Sequence, residues 1–251
     1  MPFIDINADA GESFGPWKMG RDEELFPVLS SVNLASGFHA GDPLTMQRSI
    51  ALAAEHGVAV GAHPGFPDRV GFGRRDLAVT PEQAYADVLY QIGALHGFLR
   101  VAGLALHHVK PHGALYLQML RNEATARAVA RAVRDYDPGL PLVLLAGTTM
   151  EEAARAEGVR YVREAFPDRA YLSDGRLAPR SMEGALMRDP ERAAERAVRM
   201  VLEGKVEALD GGEVEVRAET LCVHGDNPEA VEIARAVRAA LEAEGVEVRP
   251  F

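Results

Sequence analysis

The strand-like runs of this chain end, one after another, in clusters of polar residues. The first run is Phe3–Asp9, in which Asp5, Asn7 and Asp9 alternate with apolar residues. Alternation with a period of two predicts a strand with one polar face and one apolar face. Three amide or carboxylate groups on one face are costly to bury without partners. Because similar clusters follow later strands, we expect one shared site built from several strand ends, as in barrel enzymes.

Strand and helix patterns alternate along the whole chain. The predicted strands are Phe3–Asp9, Ser31–Ser36, Val58–Ala62, Ala105–Lys110, Pro141–Ala146, Val159–Glu164 and Thr220–His224, and Val246–Arg249 could add a last one. The predicted helices are Arg21–Leu29, Pro43–His56, Pro81–Ala102, Glu123–Tyr136, Met150–Glu157, Pro190–Glu203 and Pro228–Glu244. Helices that start at a cap-proline pair and end before glycine are typical of parallel βα units. The pattern fits a (β/α) barrel of seven or eight strands, although an open doubly wound sheet would give much the same pattern.

Two segments interrupt this alternation. Residues 166–187 show no clear period, and we expect a long loop over the site. Residues 206–217 carry Asp210-Gly211-Gly212 between short β-prone runs, which predicts a hairpin insertion. Because no linker or low-complexity tract divides the chain, we expect a single domain over residues 1–251. Neither the dinucleotide fingerprint nor the P-loop motif is present.

Composition narrows the class of protein. The formal net charge of −10 argues against nucleic acid as a partner. The chain has no apolar run of membrane-spanning length and no signal peptide at its N-terminus, so we expect no membrane partner. The single cysteine, Cys222, excludes an internal disulfide and is more consistent with packing than with a nucleophile. These features predict a cytoplasmic protein.

The candidate site residues stand at or just past the predicted strand ends. They are Asn7, Asp9 and Glu12, then His39, then His63 with Arg74 and Arg75, then Lys110 and His112, then Glu164 and Arg169, and finally His224. The Arg74-Arg75 pair could bind a carboxylate or phosphate, or could form a solvated turn. Asp42, Asp226 and Asn227 could simply cap the helices that follow them.

Lys110 lies in the most specific cluster, His107-His-Val-Lys-Pro-His-Gly-Ala-Leu-Tyr116. By strand alternation His108 and Lys110 share one face, and His112 lies just past the strand end. Neighbouring cations and partial desolvation would lower the pKa of Lys110, so that it could act as a base or bind a carbonyl or phosphate oxygen. Alternatively, Lys110 could pair with an inward acid such as Asp9.

A metal site is a further interpretation of the histidines. His39, His63, His112 and His224 could converge with Asp9 to bind a single metal ion. Because no local ligand spacing supports this set, acid–base catalysis by the same groups without metal is equally compatible.

The motifs together closely resemble the LamB/YcsF family. The matching stretches span nearly the whole chain in order and are Asp5–Glu12, Asn33–Asp42, Gly61–Asp68, Val109–Tyr116, Glu164–Arg169 and Val223–Asp226. The resemblance implies a distorted barrel of about seven strands, similar to glycoside hydrolase and deacetylase barrels. It also implies the A subunit of an ATP-dependent 5-oxoprolinase, which opens the lactam 5-oxo-L-proline to L-glutamate with partner subunits B and C.

Roles for the candidate residues follow from that implied reaction. We expect Asp9 with His63 or His112 to activate water, and Lys110 with Arg74 and Arg75 to hold phosphate or the substrate carboxylate. ATP, with Mg²⁺, is the implied cofactor. The remaining candidates are expected to bind substrate or phosphate and are Asn7, Glu12, His39, Glu164, Arg169 and His224. Two alternatives stay open: a stand-alone metal-dependent amidohydrolase or deacetylase on a similar barrel, and a non-catalytic binding subunit.

Overall fold

Seven parallel strands close into a barrel in the computed structural model, which describes residues 1–225 and 227–251. The strands are β1 (Phe3–Ala10), β2 (Ser31–Ala35), β3 (Ala59–His63), β4 (Leu106–Val109), β5 (Leu142–Leu145), β6 (Tyr161–Ala165) and, after the hairpin strands β7 (Lys205–Glu207) and β8 (Glu213–Glu215), β9 (Thr220–Val223). Each barrel strand pairs with the next, and β9 returns to β1, where Asp5 lies opposite Thr220. The predicted barrel is therefore confirmed, and the open doubly wound sheet is excluded.

Most of the helices that surround the barrel begin and end close to the predicted positions. They are α1 (Asp22–Leu25), α2 (Pro43–His56), α3 (Pro81–Ala102), α4 (Gly113–Met119), α5 (Glu123–Tyr136), α6 (Thr149–Ala156), α7 (Pro190–Leu202) and α8 (Ala230–Ala243). Local caps account for the agreement: the Asp42 carboxylate accepts the backbone N–H groups of Leu44 and Thr45, each at 2.9 Å. Among the described residues, no helix is long and apolar enough to cross a bilayer.

Some boundaries differ from the prediction. The sequence does not predict the helix α4, and Arg21–Leu29 divides into α1 and a 3-10 turn at Phe26–Val28. The last helix begins at Ala230 rather than Pro228, because a turn held by Asn227 precedes it. The other predicted cap of that helix, Asp226, lies outside the described residues. The possible last strand at Val246–Arg249 is present as β10 (Glu247–Val248), which pairs with the start of β1.

Both segments that interrupt the βα alternation behave as predicted. Residues 166–187 contain no helix or regular strand and are held by isolated bridges such as Arg169 with Leu186. β7 and β8 form the expected antiparallel hairpin.

Polar residues fill the barrel interior, and the apolar core lies between strands and helices. On β1, Ile4 and Ile6 belong to this core and are at most 1% exposed. Burying one such side chain fully contributes about 1.5–3 kcal/mol. The alternate residue Asp5 is buried inside the barrel, where the Ser30 and Ser31 hydroxyls donate to its carboxylate at 2.6 and 2.8 Å. By the same alternation, Asn7 and Asp9 also face the barrel interior, nearer to the carboxyl end of the strand.

Candidate active site

Lys110 lies at the centre of a charged network at the carboxyl end of the barrel. Its Nζ atom lies 3.0 Å from Asp9 Oδ1 on β1 and 2.8 Å from Glu164 Oε1 on β6. The same ammonium donates to Cys222 Sγ on β9 at 2.9 Å. Closure of the barrel brings these strands around one buried lysine, whose side chain is 4% exposed.

The charge of Lys110 differs from the prediction. Burial favours a lower pKa, but Asp9, Cys222 and Glu164 outweigh it and raise the pKa of Lys110 well above its usual range. The predicted lowering of this pKa is wrong because acids, rather than the neighbouring histidines, dominate its surroundings. Lys110 is therefore a fixed positive charge that can hold an oxygen atom and cannot serve as a base near neutral pH.

Asp9 is held as an ionised carboxylate. Burial would raise its pKa, but His63 and Lys110 outweigh burial and hold the pKa of Asp9 well below its usual range. The Asn33 side-chain amide donates to Asp9 Oδ1 at 2.9 Å, and His63 Nε2 lies 3.4 Å from the same oxygen. Asn33 also donates to Asn7 Oδ1 at 2.7 Å, which joins Asn7 to this network.

Glu12, His39, His63 and His112 form a second group, here called the histidine cluster. One ligand atom from each of the four lies within 4.8 Å of the others, and all four residues are buried. The His39 and His112 rings stack with their centroids 3.7 Å apart. Burial is the largest cause that lowers the pKa of both His39 and His112 well below the usual range, so these rings are neutral near pH 7.

Backbone carbonyls fix the proton positions of two rings in the histidine cluster. The Nδ1–H of His63 donates to the carbonyl of Lys110 at 2.6 Å, and the Nε2–H of His112 donates to the carbonyl of Phe72 at 2.8 Å. Phe72 adopts a left-handed backbone with φ of 54°, which costs a non-glycine residue about 1–3 kcal/mol. The carbonyl that accepts the His112 proton therefore belongs to a residue with a strained backbone.

A cavity of about 420 Å³ lies over both groups at the carboxyl end of the barrel. Asp9, His63, Lys110, His112 and His224 contribute its acid–base groups. Three arginines also line it and are Arg74, Arg169 and Arg180. The apolar part of its lining includes Phe166 and Leu177. The arrangement suits a small molecule with a negative charge at one end and a polar group that reaches Asp9 and Lys110.

Contacts with the 166–187 segment hold two residues of the cavity lining, His224 and Arg169, in fixed orientations. Asp168 accepts His224 Nδ1–H at 2.9 Å and the His224 backbone N–H at 3.0 Å. Arg169 is 8% exposed and donates from Nη2 to the Ala178 carbonyl at 2.7 Å, while its Nε has no partner among the described residues. Burial, followed by Arg180, lowers the pKa of Arg169 to about 10. Such a guanidinium is suited to bind an anion.

Most of the predicted site residues meet at this end of the barrel. Glu164 and Asn7 lie beneath Lys110, and Glu12 and His39 contact His112 from outside the cavity lining. Arg75 differs from the prediction that it binds phosphate or the substrate carboxylate. It does not line the cavity, because its side chain is 61% exposed and pairs with Asp68.

The predicted site residues leave out three neighbours of the site. The Tyr116 hydroxyl donates to Glu164 Oε2 at 3.0 Å, and Cys222, expected only to pack, contacts the lysine. Arg180 lines the cavity from a loop without periodicity. The sequence spacing could have indicated Tyr116. It lies four residues after His112, and residues four apart lie on the same face of a helix.

Known proteins resemble this chain in sequence and in architecture. The sequence matches the LamB/YcsF family over residues 4–251. A Thermus thermophilus protein named as the A subunit of 5-oxoprolinase is 67% identical over 248 residues, which cover 99% of both chains. The crystal structure of a lactam utilization protein from Thermus thermophilus matches with a TM-score of 0.96 and 65% identity, over 99% of this chain and 100% of that one. A family 4 carbohydrate esterase from Streptomyces lividans, with a TM-score of 0.51 and 9% identity over 98% of this chain and 91% of its own, shares the fold alone.

Proposed function

This chain belongs to the LamB/YcsF family, and we propose that it is the A subunit of an ATP-dependent 5-oxoprolinase. The reaction opens the lactam 5-oxo-L-proline to L-glutamate while ATP is hydrolysed to ADP and phosphate. The names of two relatives, which refer to 5-oxoprolinase and to lactam utilization, support the substrate class. The designation of one relative as a subunit supports the need for partners, which we take to be subunits B and C.

The observation that carries this proposal is the charge pattern of the cavity. Arg74, Arg169 and Arg180 line a space that also contains the ionised Asp9 and the protonated Lys110. 5-Oxoproline has a carboxylate that an arginine can bind through paired hydrogen bonds, and a lactam carbonyl that an ammonium can hold. A site with both kinds of partner orients the two ends of this molecule at once.

The chemistry accounts for the requirement for ATP. A five-membered lactam is an unstrained amide, so its opening must be driven. Transfer of the terminal phosphoryl group of ATP to the lactam oxygen makes the ring carbon electrophilic. Water then adds to that carbon, the C–N bond breaks as the nitrogen takes a proton, and an acyl phosphate is left. A second water hydrolyses the acyl phosphate to the side-chain carboxylate of glutamate and inorganic phosphate.

The cavity residues have distinct roles in this scheme. Asp9, with His63 Nε2 3.4 Å from its Oδ1 atom, orients the attacking water, and the proton that this water loses passes to the lactam ring nitrogen as the C–N bond breaks. Lys110 holds the lactam oxygen or the phosphoryl group attached to it, because its ammonium keeps its charge between two carboxylates. The arginines bind the substrate carboxylate and phosphate, and Mg²⁺ accompanies ATP.

A reconstitution assay tests the proposed function. Glutamate release from 5-oxoproline is measured with this chain alone and with subunits B and C, in each case with and without ATP. We expect release only when ATP and both partners are present. Release by the chain alone without ATP, or no release in any condition, would overturn the assignment.

The histidine cluster favours one second candidate, a stand-alone metal-dependent amidohydrolase. Three imidazoles and a carboxylate are common ligands of catalytic metal ions. In the same assay, ATP-independent turnover that is lost after chelation and restored by a divalent ion would select this candidate over the 5-oxoprolinase subunit.

A further inference from the structure

Two ring nitrogens of the histidine cluster face each other at hydrogen-bond distance. His63 Nε2 and His112 Nδ1 lie 3.0 Å apart. The other nitrogen of each ring contacts a backbone carbonyl, which only accepts hydrogen bonds, so that nitrogen carries the proton. If each ring carries only that one proton, both facing nitrogens present lone pairs to each other, and His63 Nε2 also faces the Asp9 carboxylate at 3.4 Å.

Such a contact requires a positive centre. His63 and His112 are 1% and 3% exposed, so bulk water does not screen the repulsion between the two lone pairs. Either a shared proton or a metal ion would turn it into an attraction. Histidine ligands commonly donate their second ring N–H to a backbone carbonyl, which is the arrangement of both rings here.

The rest of the histidine cluster favours a metal ion over a proton. Glu12 Oε1 lies 3.8 Å from His112 Nδ1 and 3.3 Å from His39 Nε2. These separations, with the 3.0 Å between His63 and His112, are close to the roughly 3.3 Å expected between two ligand atoms on a tetrahedral zinc ion. A single proton joins only one pair of atoms, whereas one ion can contact all four, because their ligand atoms lie within 4.8 Å of one another.

A further ring atom of this cluster also lacks a partner. His39 Nδ1 is buried and has no hydrogen-bond partner among the described residues. A buried polar atom left unpaired costs about 1–3 kcal/mol. Because the His39 atom that faces Glu12 is Nε2, an ion bound to that atom leaves Nδ1 unpaired, and the contact between His63 and His112 is the observation that points to an ion.

We propose that Glu12, His39, His63 and His112 bind one divalent transition-metal ion. Imidazole nitrogens with one carboxylate suit zinc and also cobalt or nickel, whereas calcium and magnesium prefer oxygen ligands. Glu12 takes the place that the sequence interpretation gave to Asp9, whose Oδ1 atom lies 3.4 Å from His63 Nε2. Because His63 and His112 line the cavity, the ion lies at its edge. Four protein ligands complete a tetrahedral shell, so the ion can polarise a carbonyl or a water molecule only by taking a fifth ligand.

Metal content and cobalt spectroscopy test this proposal without substrate, ATP or partners. The full chain is stripped with a chelator, titrated with Co²⁺ and Zn²⁺, and analysed for metal after removal of the excess. We expect one ion per chain, visible Co²⁺ absorption that Zn²⁺ abolishes, and a higher Tm with either ion. A folded wild-type chain that binds neither ion at micromolar concentrations would overturn the proposal and leave the shared proton.

Matched variants locate the ion. His39→Asn and His112→Asn should each lower the bound metal at least tenfold, whereas His224→Asn, a cavity histidine outside the cluster, should retain one ion per chain. Equal binding by the wild type and both cluster variants would overturn the assignment. If a cluster variant does not fold, the Co²⁺ spectrum of the wild type still decides, because nitrogen ligation gives stronger visible absorption than hydrated Co²⁺. These readouts do not involve turnover, so they can fail independently of the proposed function.

Discussion

A single lysine pairs with two acids inside this barrel. Lys110 lies within 3.0 Å of Asp9 and within 2.8 Å of Glu164, and the Glu164 side chain is fully buried. Removing one member of a buried ion pair is more costly than the pair itself is stabilising, because the partner charge stays desolvated. The residue that holds substrate oxygen in the proposed reaction therefore also stabilises the fold.

Replacing Lys110 should affect both activity and stability. We expect Lys110→Met to lower glutamate release by the reconstituted complex at least 100-fold, and to lower the free energy of unfolding by about 3–5 kcal/mol. Activity assays and urea denaturation measure the two effects. The matched control is Lys205→Met, because Lys205 forms an exposed pair with Glu213 and should change stability by less than about 1 kcal/mol. Full activity in Lys110→Met would remove its assigned role.

Asp5 makes stability depend on pH. Burial, which outweighs hydrogen bonds from Ser30, Thr220 and Ser31, raises the pKa of Asp5 from 3.8 to about 6. An acid with a higher pKa in the folded state binds its proton more tightly there, so its contribution to stability is lost as the pH rises from about 4 through 6. This difference corresponds to roughly 3 kcal/mol.

The Asp5→Asn variant tests that linkage. Only the wild type must ionise a buried carboxyl as the pH rises. The free energy of unfolding of the variant minus that of the wild type should therefore increase by about 3 kcal/mol between pH 4 and pH 8. Urea denaturation at several pH values measures this difference. A difference that stays constant over the whole range would show that Asp5 ionises as easily in the folded protein as in the unfolded chain.

At the scale of elements, local signals account for what the sequence predicts. The helices α2 and α3 begin at side-chain caps and end at glycines in the left-handed conformation, and their predicted bounds are those of the structure. The sequence does not predict the short helix α4, because the side chain at its N-cap, His112, makes no capping hydrogen bond. The 166–187 segment is predicted as a loop, but nothing local indicates that Arg180 reaches the cavity.

Arg180 offers a test of what this loop contributes. We expect Arg180→Gln to raise the KM for 5-oxoproline about 10- to 100-fold, because a charge-assisted hydrogen bond contributes about 1.5–3 kcal/mol. Steady-state kinetics of the reconstituted complex measure this change. The matched control is Arg176→Gln in the same loop, where the arginine is 69% exposed and pairs with Asp174. Equal KM values for both variants would place the substrate carboxylate elsewhere.

At the scale of the whole molecule, barrel closure decides which residues meet. Alternation along β1 predicts the inward face of Asp5, Asn7 and Asp9, and the structure has this face inside the barrel. Adjacent arginines show the limit of that reasoning, since Arg74 lines the cavity while Arg75 turns to Asp68. They follow the strained turn at Phe72, where no periodicity indicates direction. The partners of Lys110 likewise come from strands far apart in sequence.

The packing of the barrel interior yields a prediction for the whole fold. His108 of β4 lies beside Gly61 of the neighbouring strand β3, and its Nε2–H donates to Asn33 Oδ1 on β2 at 2.7 Å. A Cβ atom on Gly61 would lie 2.2 Å from His108 Nε2, so the ring must move and release Asn33, which also holds Asp9. We expect Gly61→Ala to lower the free energy of unfolding by about 1–3 kcal/mol and to reduce turnover. Urea denaturation and the reconstituted assay measure both effects.

An exposed helical glycine provides the opposite case. A Cβ atom on Gly97 of α3 would meet no atom within 4 Å, and alanine favours the helical backbone over glycine by up to about 1 kcal/mol. Gly97→Ala should therefore raise stability while Gly61→Ala lowers it, although the chemical change is identical. Stability that changes in the same direction in both variants would show that backbone propensity, rather than contact with His108, governs position 61. The opposite signs would show that this barrel leaves no room beside His108, and that the network holding Asp9 depends on that close fit.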